Sequence, residues 1–326
     1  MKTSSKTWRS VFAVLLSVLL VLSTLSPMQV QASDTTLEDK VGARFWNDEP
    51  TIGFYINSAN RYILETVQSP KFGTTAGEWS MLDLLRGMHL GYDYINHIPS
   101  DYFDGYISRF EQTISEKLGK TQYIDRNKST EYSRLMLTLS SLGYDVTAVG
   151  QEGAKYDFIE DLSESFTYAK KQGINGPIWE VIALNTGGYQ LYDNERMQLP
   201  TNKEADINTI GKMIDFTLSK QTPDGGWDLS SKVADPDMTG MALQSLAPYY
   251  LSESRFNEAE TSMTYEDFKV SVERGIKVLA EIQQDDAGFK SFGTHNSESI
   301  AQVIVALTSL NIDPLAPSIT LPTINE

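Results

Sequence analysis

The strongest constraint on the fold is a repeat in the second half of the chain. Residues 219–250 contain the end of a predicted helix, the turn QTPDGGW, a polar loop, the triplet Asp-Pro-Asp and an apolar segment. Sixty-two residues after the first turn, residues 283–289 repeat it, and residues 298–304 then match residues 237–243. Such a unit cannot bury its apolar face alone, so the repeat predicts a fold of stacked helical pairs.

Two kinds of helix alternate along the chain. The first kind has apolar residues at three-to-four spacing, as at Ile210, Met213 and Ile214, which indicates one buried face. We predict it at residues 52–67, 101–118, 156–171, 205–220 and 265–283. The second kind is nearly apolar all round, which is typical of a helix enclosed by other helices. We predict it at residues 79–90, 131–142, 178–186, 238–247 and 299–310.

Local signals mark where these helices begin and end. Capping boxes at Thr201 to Glu204 and Thr264 to Asp267 predict the starts of two outer helices. Each apolar helix is followed by a residue that favours a left-handed or helix-breaking conformation. These residues are Gly91, Gly143, Gly187, Pro248 and Asn311.

The alternation predicts an all-α fold with an inner and an outer ring of helices. Because the apolar helices need cover on nearly all sides, we expect the pairs to close into an α/α toroid, a barrel of five to six helical hairpins. This domain should span residues 51–314. An irregular extension at 33–50 packs Trp46 onto it, and residues 315–326 form a Pro-rich tail.

The N-terminus predicts export. Basic residues precede an apolar run that is too short for a comfortable membrane span, and Ala32 closes a small-residue cleavage site. We therefore predict a signal peptide at residues 1–32, a secreted protein and no membrane span after cleavage.

Composition excludes several functions. Cleavage removes three of the 27 basic residues and none of the 43 acidic ones, so the mature net charge is 24 minus 43, or −19. Such a surface repels nucleic acid. The absence of cysteine rules out disulfides and thiolate chemistry.

The turn residues Gln221, Gly225 and Trp227 carry a family resemblance. Their spacing resembles the Gln/Trp motif of the squalene and terpenoid cyclases, and residues 283–289 are a degenerate second copy with Phe in place of Trp. The chain is similar to the α/α-toroid superfamily of those cyclases, the protein prenyltransferase β subunits and the helical domain of cobalamin-transport proteins. It is most similar to exported bacterial members, over residues 60–314. The turn chemistry itself predicts a structural role, in which Trp227 covers the gap between hairpins.

Asp237 has two open interpretations. The resemblance implies an acid that protonates an alkene, because Asp235 to Thr239 matches the cyclase Asp-x-Asp-Asp-Thr segment except at Met238. The repeat instead favours a helix N-cap, since Asp237 aligns with residues that suit helix starts. Those residues are Glu78, Thr130, Asn175 and Glu298.

The N-termini of the apolar helices predict a site at one mouth of the ring. Carboxylates beside aromatic platforms suit a carbohydrate, a peptide or a cationic ligand, and a carboxylate pair could hydrolyse a glycoside. A solvated acidic rim that includes Glu131 and Glu180 is the plainer interpretation. The candidate ligand-binding residues are Trp79, Tyr132, Arg134, Trp179, Asp235, Asp237, Met241, Glu298 and Gln302.

No cofactor or metal site is predicted. His89, His97 and His295 lack ligand spacing, and Asp285 with Asp286 suits a plain turn better than calcium. Cobalamin is one ligand that the resemblance implies, although the second domain that closes its site has no counterpart after residue 314.

We therefore expect a non-catalytic extracellular module that binds a small molecule, a glycan or a protein at the cell surface through the toroid mouth. The alternative is an enzyme, either a terpenoid cyclase with Asp237 as its general acid or a glycan-active toroid that uses the rim carboxylates.

Overall fold

The structure, a computed structural model, describes residues 52–74, 76–89, 96–118, 123–230 and 232–315. The predicted signal peptide, the extension with Trp46, Gly91 and nearly all of the Pro-rich tail lie outside the described residues.

The described part of the chain is mostly helical, as predicted. A 3-10 helix, Lys170–Gln172, and a hairpin of two short strands, β1 (Lys290–Ser291) and β2 (Thr294–His295), complete it. The helices are α1 Ile52–Thr66, α2 Glu78–His89, α3 Tyr102–Leu118, α4 Thr130–Ser141, α5 Phe158–Ser163, α6 Phe166–Ala169, α7 Asn175–Gly187, α8 Asn194–Met197, α9 Thr201–Glu204, α10 Ile210–Ser219, α11 Pro236–Tyr250, α12 Glu253–Glu258, α13 Tyr265–Ile282 and α14 Ser297–Ser309.

Five helices, α2, α4, α7, α11 and α14, form what we call the apolar series. Each begins and ends within three residues of its predicted bounds. They pack in chain order, α2 on α4, α4 on α7, α7 on α11 and α11 on α14. More amphipathic helices lie beside them, α10 against α7 and α13 against α11.

Helix α3 shows the single buried face that is typical of the amphipathic helices. Its buried residues are Tyr102, Tyr106, Phe110, Ile114 and Leu118, which recur every four positions and so share one face. The core continues through the apolar series, where Leu135, Met136 and Leu137 are all fully buried in α4. A helix buried at three successive positions has neighbours on more than one side.

The repeated turn joins neighbouring helical pairs, which confirms its predicted structural role. The amide of Gln221 donates to the carbonyl oxygens of Gly225 and Ser271, each at 2.7 Å. The indole of Trp227 is fully buried and donates to the carbonyl of Thr217 at 2.8 Å. A side chain at Gly275 would collide with the Trp227 ring. The turn thus joins α10 to α13 through the hydrogen bonds of Gln221 and the buried ring of Trp227.

The second copy of the turn has the same form, but its glutamine makes a longer hydrogen bond. The amide of Gln283 donates to the carbonyl of Ala287 at 3.3 Å, and the Phe289 ring is buried. Ala287 has a φ of 61°, in the left-handed region where the first copy has Gly225 with a φ of 107°. Alanine therefore occupies a position that favours glycine.

Two predictions about the amphipathic helices are wrong. The helix expected at 156–171 is broken into α5, α6 and the 3-10 helix, because the Ser165 side chain caps a new helix at Tyr168 N. The helix expected from 205 begins only at Ile210, where Thr209 caps it through Lys212 N. Thr201 to Glu204 forms the separate helix α9, whose N-cap is Pro200 without a side-chain bond, so no capping box opens α10. The Thr264 box is confirmed, since Thr264 accepts from Asp267 N.

The predicted stop signals have mixed outcomes. Gly143 and Asn311 are left-handed, with φ values of 71° and 59°, as expected for residues that end helices. At the end of α7 the left-handed residue is Gly188 rather than Gly187. Pro248 does not stop α11, which continues to Tyr250. Tyr250 is fully buried there. The favourable free energy of burying its ring offsets the cost of the helical hydrogen bond that proline cannot make.

Two loops carry short elements that sequence patterns did not predict. The segment between α7 and α9 contains α8, and the segment between α13 and α14 contains β1 and β2, which pair with each other. Within the described residues, no helix has the length and apolar character to cross a membrane.

Candidate functional site

A cavity of about 270 Å³ lies where the first turns of α4 and α7 meet the start of α2 and the middle of α11. It is partly open to solvent. The described residues that line it are Trp79, Thr130, Arg134, Gln172, Asn175, Trp179 and Met241. We call it the tryptophan pocket.

Helical spacing explains which side chains share this pocket. Thr130 and Arg134 are four residues apart on α4, and Asn175 and Trp179 are four apart on α7. Residues at this spacing lie on one face of a helix, one above the other. Each helix therefore contributes a small polar residue at its first position and a large residue one turn later.

Two tryptophans form the apolar part of the pocket. The ring centroids of Trp79 and Trp179 are 5.5 Å apart with an interplanar angle of 60°, an edge-to-face contact that aromatic pairs favour. Both side chains are half-buried, so part of each ring faces the cavity. Met241 adds a third apolar contact from α11.

Arg134 is held between two carboxylates. Its Nη2 donates to Glu131 Oε2 at 2.6 Å, and its Nε lies 3.1 Å from Glu78 Oε2 without the angle of a hydrogen bond. Glu78 is fully buried, and its Oε1 accepts from the hydroxyl of Tyr106 at 2.7 Å and from Gly73 N at 3.1 Å. Burial raises the pKa of Glu78, while the hydrogen bond from Tyr106 and the charge of Arg134 oppose that rise. The guanidinium is therefore fixed in place.

Gln172 connects the 3-10 helix to α4. Its Oε1 accepts from Thr130 N at 3.2 Å and from Thr130 Oγ1 at 3.0 Å. The carboxamide oxygen is therefore occupied, and the two N–H donors of the same group remain for the pocket.

Four of the nine predicted site residues line the pocket, namely Trp79, Arg134, Trp179 and Met241. Sequence reasoning placed Thr130 and Asn175 at helix starts but not in the site, although their spacing from Arg134 and Trp179 was available as a signal. Gln172 belongs to a short 3-10 helix that no periodic pattern marks.

Tyr132 lies on the other side of α4. It is fully buried, and its hydroxyl donates to Asp161 Oδ2 at 2.6 Å and accepts from Ile124 N at 3.2 Å. Burial raises the pKa of Asp161 to about 7, although the Tyr132 hydrogen bond acts in the opposite direction. This pair joins α4 to α5 and does not reach the pocket.

Glu180 is likewise not at the rim. It is fully buried, and its Oε2 accepts from Asn208 Nδ2 at 2.9 Å while its Oε1 has no hydrogen-bond partner. Burial raises the pKa of Glu180 to about 8. The expected place of Glu180 among the mouth carboxylates is therefore wrong.

The N-cap of α11 is Asp235, and the capping interpretation of Asp237 is wrong. Asp235 Oδ1 accepts from the backbone N–H groups of Asp237 at 3.0 Å and Met238 at 3.1 Å. Because Pro236 takes the first helical position, Asp237 is already inside the first turn. In the repeat, Asn296 caps α14 through Ser299 N.

Asp237 has a perturbed carboxyl group. Its Oδ1 is buried without a hydrogen-bond partner. Burial is the main cause of its raised pKa, the hydroxyl of Ser299 opposes the rise, and the carboxylates of Asp235 and Glu298 add to it.

The remaining predicted residues lie outside the tryptophan pocket. Asp235 accepts from Ser291 Oγ at 2.6 Å, which attaches the β1–β2 hairpin to α11. Glu298 is exposed at the start of α14. Gln302 donates to Gln244 Oε1 at 3.2 Å between α14 and α11.

No group of three or more His, Cys, Asp or Glu side chains that could hold a metal ion occurs within the part of the chain that the structure describes. His97 and His295 are exposed, and His295 Nδ1 lies 4.0 Å from Asp286 Oδ2. His89 has no described side chain.

Comparison with family models, curated proteins and solved structures returned no match to this chain.

Proposed function

We propose that this protein is an exported module that binds a ligand in the tryptophan pocket without transforming it. In this proposal the apolar series forms the inner wall of an α/α toroid, and the amphipathic helices form its outer ring. The order of packing along the apolar series supports that arrangement. The basic and apolar N-terminus supports export, and N-terminal sequencing of the secreted protein should give Ser33 as the first residue.

The observation that carries the binding function is the chemistry of the pocket wall. Its described lining has two tryptophans, a fixed guanidinium, two carboxamides and a hydroxyl, and it includes no carboxylate. Hydrolysis of a glycoside needs two carboxyl groups beside the scissile bond. A concave site that combines aromatic surface with a few directed polar groups is typical of ligand binding.

A ligand screen on the mature chain tests this proposal. We expect at least one small molecule to raise the melting temperature and to be recovered unchanged. Trp179→Ala should abolish the shift, while Tyr62→Ala, an aromatic deletion on α1 outside the pocket, should keep it. A ligand that is converted to product, or that stabilises both variants equally, would contradict the proposal.

Asp237 supports a second candidate function, that of an acid catalyst such as a terpenoid cyclase. Its raised pKa and its unpartnered buried oxygen favour this role. The position of Asp237 argues against it, because Asp237 is not among the residues that line the tryptophan pocket. If a polyprenoid substrate were turned over, Asp237→Asn should keep the fold and lose the activity, and retained turnover would exclude this acid.

A further inference from the structure

The geometry points to the class of ligand: we propose that the tryptophan pocket binds the uncharged end of a carbohydrate chain. This inference rests on the proposed binding function and narrows it to one chemistry. Three properties of the pocket carry it, namely its apolar faces, its mixed hydrogen-bonding groups and the pairing of its one cationic side chain with carboxylates.

The apolar faces suit a sugar ring. A pyranose has faces of C–H groups and an edge of hydroxyl groups, so it needs a flat apolar surface and polar partners around it. Trp79 and Trp179 give two large, rigid rings with few rotatable bonds, and both rings are partly open to the cavity. Met241 can adapt to an irregular outline because its side chain is unbranched.

The polar groups suit hydroxyls, which donate and accept at the same time. Gln172 offers two N–H donors, since Thr130 occupies its oxygen. Asn175 adds an amide with both donors and acceptors, and Arg134 adds further N–H donors. Half-buried polar groups of this kind disfavour ligands that leave them unpaired, so an entirely apolar ligand such as a terpenoid fits less well.

The charges favour a neutral ligand. The guanidinium of Arg134 is matched by Glu131 at 2.6 Å and faces Glu78 at 3.1 Å, so no uncompensated positive charge is available for a phosphate or a uronate. The formal net charge of −16 adds a general repulsion of anions. An ammonium group has no carboxylate partner among the described lining residues.

The dimensions favour a chain end. The cavity of about 270 Å³ is small and partly open to solvent, so it can hold a terminal unit while the rest of the chain remains in solvent. Long polymers would then be bound at their ends and not along their length.

Calorimetric titration of the mature protein with defined oligosaccharides tests this inference. The probes are chitotriose, cellotriose and maltotriose as neutral chains, trigalacturonate as an anionic chain and choline as a cation. We expect at least one neutral trisaccharide to bind, and Trp179→Ala to weaken it at least tenfold. Gln172→Ala, which removes donors but no core residue, should also weaken it, and Tyr62→Ala should bind like the wild type. Circular dichroism of each variant shows whether it is folded.

The outcomes separate the ligand class from the binding function. If trigalacturonate or choline binds through Trp179 and the neutral sugars do not, the carbohydrate inference is overturned and the pocket remains a binding site. If a neutral trisaccharide binds equally to wild type and to both pocket variants, the assignment of the pocket is wrong. If no probe binds at millimolar concentration, the inference fails, and the broader ligand screen then decides the binding function by itself.

Discussion

Replacement of Glu180 by glutamine should make the protein less sensitive to alkaline pH. The carboxyl group is fully buried, one oxygen accepts from Asn208, and burial raises its pKa from 4.5 to about 8. It is therefore protonated at neutral pH in the folded protein. Glutamine has nearly the same shape and keeps an oxygen for Asn208, but it cannot ionise.

The size of the effect follows from proton linkage. Because the pKa of Glu180 is higher in the folded protein, the folded chain holds a proton that the unfolded chain has lost between pH 4.5 and about 8. The stability from this group is complete below pH 4.5 and is lost as the pH rises to about 8. At about 1.36 kcal/mol for each pH unit, the loss approaches about 5 kcal/mol as an upper limit. The Glu180→Gln variant should not show this loss.

Urea unfolding of both proteins between pH 4 and pH 9 measures the difference. The free energy of unfolding of the variant, minus that of the wild type, should rise by several kcal/mol across this range. Other groups with raised pKa values, such as Asp161, occur in both proteins and cancel. Glu152→Gln, on an exposed turn, is the matched control. A difference that stays constant with pH would refute the argument that buried Glu180 is neutral.

Three further substitutions test the repeat and its helix caps by urea unfolding or thermal melting. Trp227→Ala should destabilise the protein by about 3–5 kcal/mol, because it removes a fully buried ring and its bond to Thr217; a loss below 1 kcal/mol would show that the turn does not join the helical pairs. Asp235→Ala should cost about 1 kcal/mol, whereas Asp235→Asn, which keeps an acceptor for the helix start, should cost much less; equal losses would mean that the cap is not the cause. Ala287→Gly should stabilise by roughly 1 kcal/mol, because alanine has a φ of 61° there; a destabilised variant would contradict the assigned backbone strain.

Hydrophobic patterning predicted the apolar series well because a helix that is buried on most sides has apolar residues at most of its positions. The amphipathic helices, which have one solvent-exposed face, were less predictable. Residues 205–209 continue the apolar spacing through Ile207, yet α10 starts at Ile210, because Asp206 accepts hydrogen bonds from Ser165 and Thr167 across the chain. A contact between segments about forty residues apart outweighs a local pattern, and sequence alone does not show it.

Helix phase explains two of the errors in the site. Tyr132 and Arg134 are two residues apart, so they point to different sides of α4, and only Arg134 reaches the pocket. The same argument separates Trp179 from its neighbour Glu180, which is bonded to Asn208. Charge and residue type suggested a shared mouth, while the helical period would have divided these residues correctly.

Through the buried contacts of Glu78, the geometry of the pocket also depends on residues that do not line it. One oxygen of this residue is bonded to Tyr106 on α3 and the other faces Arg134, so the position of the arginine depends on a tyrosine that does not line the pocket. Natural variation at Tyr106 can therefore shift Arg134, and with it the shape of the pocket, while every lining residue stays the same. Descendants of one ancestral chain could therefore differ in the geometry of this pocket through substitutions outside it, and their lining residues alone would not reveal the difference.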